Sequence, residues 1–412
     1  MTTQPSRTWS PLALIALAIA ALFLAGSVAT VQAKPKHHKK PSITKGPAGL
    51  KFYSPPKKTP KAHGKLIWAR KAGGVVPLAS ASSTQNVLYT SKSPLGKRVV
   101  VSGSVSIPKG KAPAGGWPVI SYAHGTTGIA DKCAPSRNRA NGPATPYISY
   151  TDGILNSWLK AGYAIARTDY QGLGTPGVHP FLIGKAEGRS VLDIVSAARD
   201  LSPKISKRYL IAGHSQGGHA ALFAAGEAAS YSPSLKLRGT VAYAPASHMK
   251  LQASFLPNLT QPSSLTALAS LIVAGALAVD SDIDPNGLLS DPVLALYPQT
   301  NSECLSRLAE TDNLGGIAPS ELIRDGADTT ALFALLDEQN PAVTTKQPIL
   351  LAQGTADDTT LPVLTDLLNN ELVEAGDAVD YRKYDGASHG GVIDAAAADS
   401  IAFFESRLPG GR

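Results

Sequence analysis

Short apolar strands alternate with helical segments along most of this chain. That alternation predicts an α/β protein with a mostly parallel central sheet and helices on both faces. A second observation adds a helical cap. Residues 248–341 lack strand patterning and contain the apolar run Ser263–Val279. Size is the third: 412 residues, 43% of them hydrophobic, suffice for one large core carrying an insertion. This composition excludes a disordered or collagen-like chain, and two cysteines exclude Cys-based zinc fingers and iron–sulfur centres.

The chain opens with a pattern of export. Leu12–Ala25 is an unbroken apolar run of 14 residues, and Val31-Gln32-Ala33 supplies small residues for cleavage after Ala33. Residues 1–33 therefore read as a signal peptide, too short in its apolar part for a spanning helix, which needs ~20 such residues. Export places the protein outside the cell or at the cell envelope. An oxidising compartment lets Cys133 and Cys304, the one pair available, join as a disulfide.

Charge is distributed unevenly. Eighteen Lys and Arg precede Asp131, the first acidic residue, and the remainder carries 21 bases against 30 acids. Residues 34–65 are rich in Lys and Pro and read as an extended, solvated arm. The arm is either a solubilising tail or an electrostatic attachment to an anionic envelope surface. Nucleic acid is not an expected partner, because the arm has few aromatic residues for stacking and the protein is exported.

The globular part is expected over residues 66–247 and 342–412, interrupted by the cap at 248–341. Asn86–Thr90 and Arg98–Ile107 alternate in the β manner around Pro94 and Gly96, as an antiparallel pair does. Further strands are predicted at Trp117–Ala123, Tyr163–Thr168, Arg208–Ala212, Thr240–Ala244, Gln347–Ala352 and Val379–Lys383. Helices are predicted at Tyr150–Leu159, Arg189–Leu201, His219–Ala229, Val363–Ala375 and Ile393–Leu408. The run Ser263–Val279 has two readings: a helix buried in the core, or a lid surface that meets lipid or an acyl chain.

The chemistry centres on Gly213-His214-Ser215-Gln216-Gly217. This G-x-S-x-G follows a strand and opens a helix at once, the context a strained nucleophile turn requires. Gly213, Gly217 and Gly218 supply the small flanking residues, and the turn exposes the Ser215 hydroxyl. Serine needs a base within hydrogen-bond reach and an acid behind that base. In α/β-hydrolases these follow in the order Ser, Asp or Glu, His, on loops after later strands. Asp357 follows one late strand and His389 follows the last. Asp358 is the alternative acid. The Ser215–Asp357–His389 set needs no metal and no organic cofactor. His124-Gly125-Thr126-Thr127-Gly128 follows the strand Trp117–Ala123, where one oxyanion N–H is expected from Thr126, with Thr127 second. The other is expected from Gln216, the residue after the nucleophile.

With these motifs in hand, the chain resembles the secreted lipases of bacteria and fungi within the α/β-hydrolase superfamily. The resemblance is carried by Phe52-Tyr53-Ser54-Pro55-Pro56, Gly115-Gly116-Trp117-Pro118-Val119-Ile120 and Ala123-His124-Gly125-Thr126-Thr127-Gly128-Ile129-Ala130. Cys133-Ala134-Pro135-Ser136, Gly213-His214-Ser215-Gln216-Gly217-Gly218 and Gln353-Gly354-Thr355-Ala356-Asp357 complete it, over about residues 50–408. It implies a helical cap between the strands near Thr240 and Gln347, and a triad on Ser215, Asp357 and His389. Such families usually carry aliphatic residues after the acid, where this chain has Asp358-Thr359-Thr360. The expected activity is hydrolysis of acylglycerol or other carboxylic esters, with the cap as a lipid interface. The same triad also serves acyltransferases and peptidases, because the cap and acyl pocket set specificity. A catalytically silent envelope-binding protein on this fold is the alternative outside enzymology.

Overall fold

The computed structural model describes residues 43–411. The expected leader, 1–33, and the first part of the arm, 34–42, lie outside the described residues. Nine strands form one sheet among the described residues: β1 (Leu66–Lys71), β2 (Ala81–Lys92), β3 (Arg98–Pro108), β4 (Trp117–Ala123), β5 (Ala164–Thr168), β6 (Ile205–His214), β7 (Lys236–Tyr243), β8 (Ile349–Gly354) and β9 (Val379–Tyr384). Their order is β1-β2-β3-β5-β4-β6-β7-β8-β9. The pairs from β1 to β5 through β3 are antiparallel, and all pairs from β5 onward are parallel.

The alternation of side chains along the central strands explains the layers. On β4, Val119 joins the cluster that contains Val191, Val195 and Ala224, while Ile120 joins the one that contains Trp158 and Phe404. On β6, Tyr209 and Ile211 face the first layer, and Leu210 and Ala212 face the second. Strands buried on both faces carry little polar alternation, and β4 is buried along its whole length. Helices α2 (Gly184–Leu201) and α3 (Gln216–Tyr231) cover one face. Helix α1 (Asp152–Lys160) and the C-terminal helices Val392–Ala395 and Ala397–Arg407 cover the other. The single helix expected at Ile393–Leu408 is thus broken at Ala396.

Part of the segment 34–65, expected as a solvated arm, is packed onto the fold. A single turn at Gly49–Tyr53 buries Phe52 and Tyr53 against Trp68 and Leu88. The Trp68 indole N–H donates to the Phe52 carbonyl (2.9 Å), and the Tyr53 hydroxyl donates to the Ser136 carbonyl (2.7 Å). Two aromatic rings removed from water outweigh the charged residues around them, which keep their heads in solvent. Strand β1, which the sequence pattern did not announce, lies beneath this turn as the sheet edge.

Residues 248–341 leave the sheet after β7 and return at β8. They form helices α4 (Met249–Phe255) and α5 (Ser264–Leu277), several shorter turns, and the helix Thr330–Glu338. This segment has its own apolar cluster, in which Leu271, Ala274, Leu289, Val293, Leu308 and Leu336 are buried. Helix α5 is buried on one side and borders a cavity on another. Ala267, Leu271 and Ala274 are buried in the cap, while Leu265, Leu268, Ala269 and Ile272 line a cavity beneath it. Among the described residues no helix is long and apolar enough to cross a membrane.

Cys133, just after β4, is joined to Cys304 in the cap. The Leu305 N–H beside it donates to the Thr127 carbonyl (2.9 Å), and Lys132 pairs with Glu303 (2.8 Å). The bond closes a loop of 171 residues. Chain-entropy arguments assign such a closure roughly 2–5 kcal/mol. A Cys133→Ala, Cys304→Ala variant should therefore lose about that much unfolding free energy in a urea titration. An unchanged midpoint with unchanged slope would contradict it.

Candidate active site

Strand β6 ends at His214 and α3 starts at Gln216, so one residue makes the whole turn. Ser215 takes φ 58° and ψ −119°, a backbone region costing of order 1–3 kcal/mol for a residue with a Cβ. Neighbouring main chain holds it there. Its N–H donates to the Tyr243 carbonyl (2.9 Å), and its carbonyl accepts from the N–H groups of His219 (3.1 Å) and Ala246 (3.2 Å). The turn also needs glycine. A Cβ on Gly213 would strike the Gly217 carbonyl, and one on Gly217 would strike the Ala123 carbonyl.

His389 stands in the turn after β9. Its Nδ1 lies 2.8 Å from Asp357 Oδ2. Asp357 is buried and heavily hydrogen-bonded. Oδ1 accepts from the N–H groups of Thr359 and Thr360 (both 2.9 Å), and Oδ2 accepts from the Thr360 hydroxyl (2.8 Å) and the Gln353 amide (3.0 Å). Burial opposes its charge, but the His389 ring and the two threonine N–H groups outweigh that and hold its pKa down at about 2. An ionised Asp357 can only accept, so His389 Nδ1 carries the hydrogen between them. Asp358 is exposed and takes a hydrogen bond from the Thr359 hydroxyl, and Asp385 takes one from Thr355. The carboxylate that meets the imidazole is that of Asp357.

Two cavities meet at Ser215. The larger, about 500 Å³, lies under the cap and is lined by Ser215, Gln216, Thr126 and apolar cap residues such as Met249, Ile272 and Leu332. The smaller, about 290 Å³, is lined by Ser215, Thr126, His389, Tyr147, Tyr150 and Ser264. Thr126 therefore borders both chambers beside Ser215, whereas the Thr127 carbonyl is engaged by Leu305.

His214 plays a part that its position in the motif did not reveal. Its Nε2–H donates to the His389 carbonyl (2.8 Å), and its Nδ1 accepts from the Tyr150 hydroxyl (2.6 Å). Burial, with the His389 ring nearby, pushes its pKa down to about 3, so the ring stays neutral and braces the main chain of His389. No sequence signal separates this brace from ordinary packing. The threonines after Asp357 were visible only as a departure from the family pattern; their N–H groups and one hydroxyl clamp the acid. Among the described residues, no group of three or more His, Cys, Asp or Glu side chains is arranged to hold a metal ion.

Several known proteins are similar to this chain in sequence or fold. Residues 140–276, which include Ser215, match the sequence model of the secretory lipase family. Lipase A of Moesziomyces aphidis is 28% identical over 184 residues, 43% of this chain and 38% of that protein's own length. Candida antarctica lipase A in its closed state superposes with a TM-score of 0.72 at 20% identity, covering 84% of this chain and 82% of that one. A rice cell wall degrading esterase, LipA from Xanthomonas oryzae, superposes with a TM-score of 0.67 at 18% identity over 84% of this chain and 98% of that one. The chain has the α/β-hydrolase fold, and over residues 140–276 it is similar to the secretory lipases. The turn at Ser215 joins β6 to α3 as an elbow, and Asp357 and His389 stand after the last two strands, β8 and β9.

The depressed pKa of Asp357 has a measurable consequence. Its folded value of about 2 lies below its ordinary 3.8. The carboxylate therefore stabilises the fold fully above about pH 5 and loses that contribution as pH falls toward 2. The gap in unfolding free energy between the parent and Asp357→Asn should be constant above pH ~5 and shrink below it. A gap that stays flat down to pH ~2 would count against the assignment.

Proposed function

We propose that this protein is an exported serine carboxylic ester hydrolase of the lipase type, with Ser215 as nucleophile, His389 as base and Asp357 as the acid that orients it. The observation that carries the reading is the Asp357–His389 hydrogen bond beside a chamber that Ser215 also lines. The kinship with secretory lipases supports both the ester chemistry and the export.

Ser215 Oγ attacks the ester carbonyl carbon while its proton passes to His389 Nε2. Asp357 stabilises the imidazolium that forms. The carbonyl oxygen becomes an oxyanion held by the N–H groups of Gln216 and Thr126. Collapse breaks the carbon–oxygen bond, and His389 gives its proton to the departing alcohol. Water then adds to the acyl-enzyme by the same path and releases the acid.

The two chambers divide the substrate. Because His389 must protonate the leaving oxygen, the alcohol occupies the chamber that His389 lines, near Tyr147 and Ser264. The acyl chain occupies the larger apolar chamber under the cap, whose volume falls within the range of ligand pockets. Leu251, Phe255 and Leu259 are exposed on α4 and the turn after it, beside the Leu256 and Pro257 that line this chamber. They are the residues that would rest on a lipid surface.

Ser215→Ala should lower turnover of a p-nitrophenyl ester by at least about 10³-fold with an unchanged melting temperature. Undiminished hydrolysis would overturn the reading. Ile272→Trp, which fills the larger chamber, should lower activity on long-chain esters about tenfold more than on acetate. Equal losses on both would place the acyl chain elsewhere.

A further inference from the structure

A fully buried carboxylate lies behind the elbow, outside the reacting set. Glu187, on α2, has no exposed surface. Its Oε1 accepts from the Leu182 N–H (2.9 Å) and the Gln216 side-chain amide (2.7 Å). Its Oε2 lies 3.3 Å from His219 Nδ1. Gln216 is the residue whose N–H is proposed to meet the oxyanion. Its side chain is buried and its Nε2 carries two hydrogens, one for Glu187 and one for His179 Nε2 at 2.9 Å. His179 can accept there because its Nδ1–H donates to the Gln171 carbonyl (2.8 Å).

The same cluster reaches the other half of the oxyanion site. The His179 ring stacks on Tyr170 with 3° between planes and 5.6 Å between centroids. The Tyr170 hydroxyl donates to the carbonyl of His124 (2.8 Å), two residues before Thr126. The cluster also reaches the cap through His219. The His219 Nε2–H donates to the Gln339 carbonyl (3.0 Å), and the Gln339 amide oxygen accepts from the Gly184 N–H (2.9 Å).

We propose that Glu187 is a positioning residue for the oxyanion site: through the Gln216 side chain, with His179 and Tyr170 alongside, it holds the N–H groups of Gln216 and Thr126 at a fixed separation. This rests on the ester-hydrolase reading above. The physical reason is preorganisation. An oxyanion donor stabilises the transition state only if it is already aimed before charge develops. A buried side chain with both amide hydrogens committed cannot swing.

The test compares the parent, Glu187→Ala, Glu187→Gln and Ser215→Ala. Turnover of p-nitrophenyl butyrate is measured per serine titrated by a fluorophosphonate, and for Ser215→Ala per mole of protein. A trifluoromethyl ketone, whose adduct carries an oxyanion, serves as inhibitor. Glu187→Ala should lower kcat about 10- to 100-fold with KM within about threefold, and weaken the ketone in proportion. Glu187→Gln keeps an oxygen to accept from Gln216 and a nitrogen to donate to His219, so it should restore kcat to within about threefold of the parent. If Glu187→Ala fails to fold, Gln216→Met carries the test with the same expected loss, since it removes the amide hydrogens and keeps the backbone N–H. A kcat within twofold of the parent in the variant that folds, an unweakened ketone, or a Glu187→Gln as impaired as Glu187→Ala would overturn the proposal. A parent without turnover, or full turnover in Ser215→Ala, would overturn the ester-hydrolase reading along with it.

Discussion

Ser215 occupies a backbone region that side-chain-bearing residues avoid, and the fold is arranged so that it cannot leave. Three main-chain hydrogen bonds, from β7, from α3 and from the chain after β7, grip its peptide groups. Strand β4 presses the Ala123 carbonyl against Gly217, where no Cβ fits. This close approach draws the end of β4 and the start of α3 together, and so brings Thr126 beside Ser215 and Gln216. The strain at one residue is tolerated because a large two-layered core, buried on both faces of β4 and β6, supports it.

Around that bend Asp357 and His214 are buried with hydrogen-bond partners. Asp357 receives four hydrogen bonds from its own loop and from β8, apart from the one from His389. His214 spends both ring nitrogens on Tyr150 and the His389 carbonyl. A buried polar group without partners costs about 1–3 kcal/mol, so each of these groups is held by the next. The cap is drawn into the same scheme through Cys304, Leu305 and Gln339. Its chamber walls are therefore fixed to the elbow and to the loop after β4, which keeps an apolar cavity in register with the serine.

Part of this was legible at the level of residue patterns. The strands of the parallel half lie close to the segments marked by apolar runs, because strands buried on both faces have little choice of composition. The G-x-S-x-G turn was legible because close backbone approach admits glycine and little else. His389 and Asp357 were legible through chain order and their places after strands. The buried Phe52 and Tyr53 were hidden by the lysines and prolines around them, since a charge pattern reports solvent-facing heads and not the ring between them. The choice of Asp357 over Asp358 was open in sequence, where the two are neighbours.

The chain by itself determined the layered α/β architecture, the cap between two strands and the turn at Ser215, because these follow from local periodicity and from steric demands on single residues. Only the tertiary structure decided which carboxylate meets His389, which nitrogens His214 uses, how Glu187 reaches Gln216 and where the two chambers divide. Those choices depend on hydrogen-bond geometry between groups far apart in the chain, from 29 residues for Gln216 and Glu187 to 175 for His214 and His389. A linear pattern carries no record of distances that arise only when the sheet is assembled.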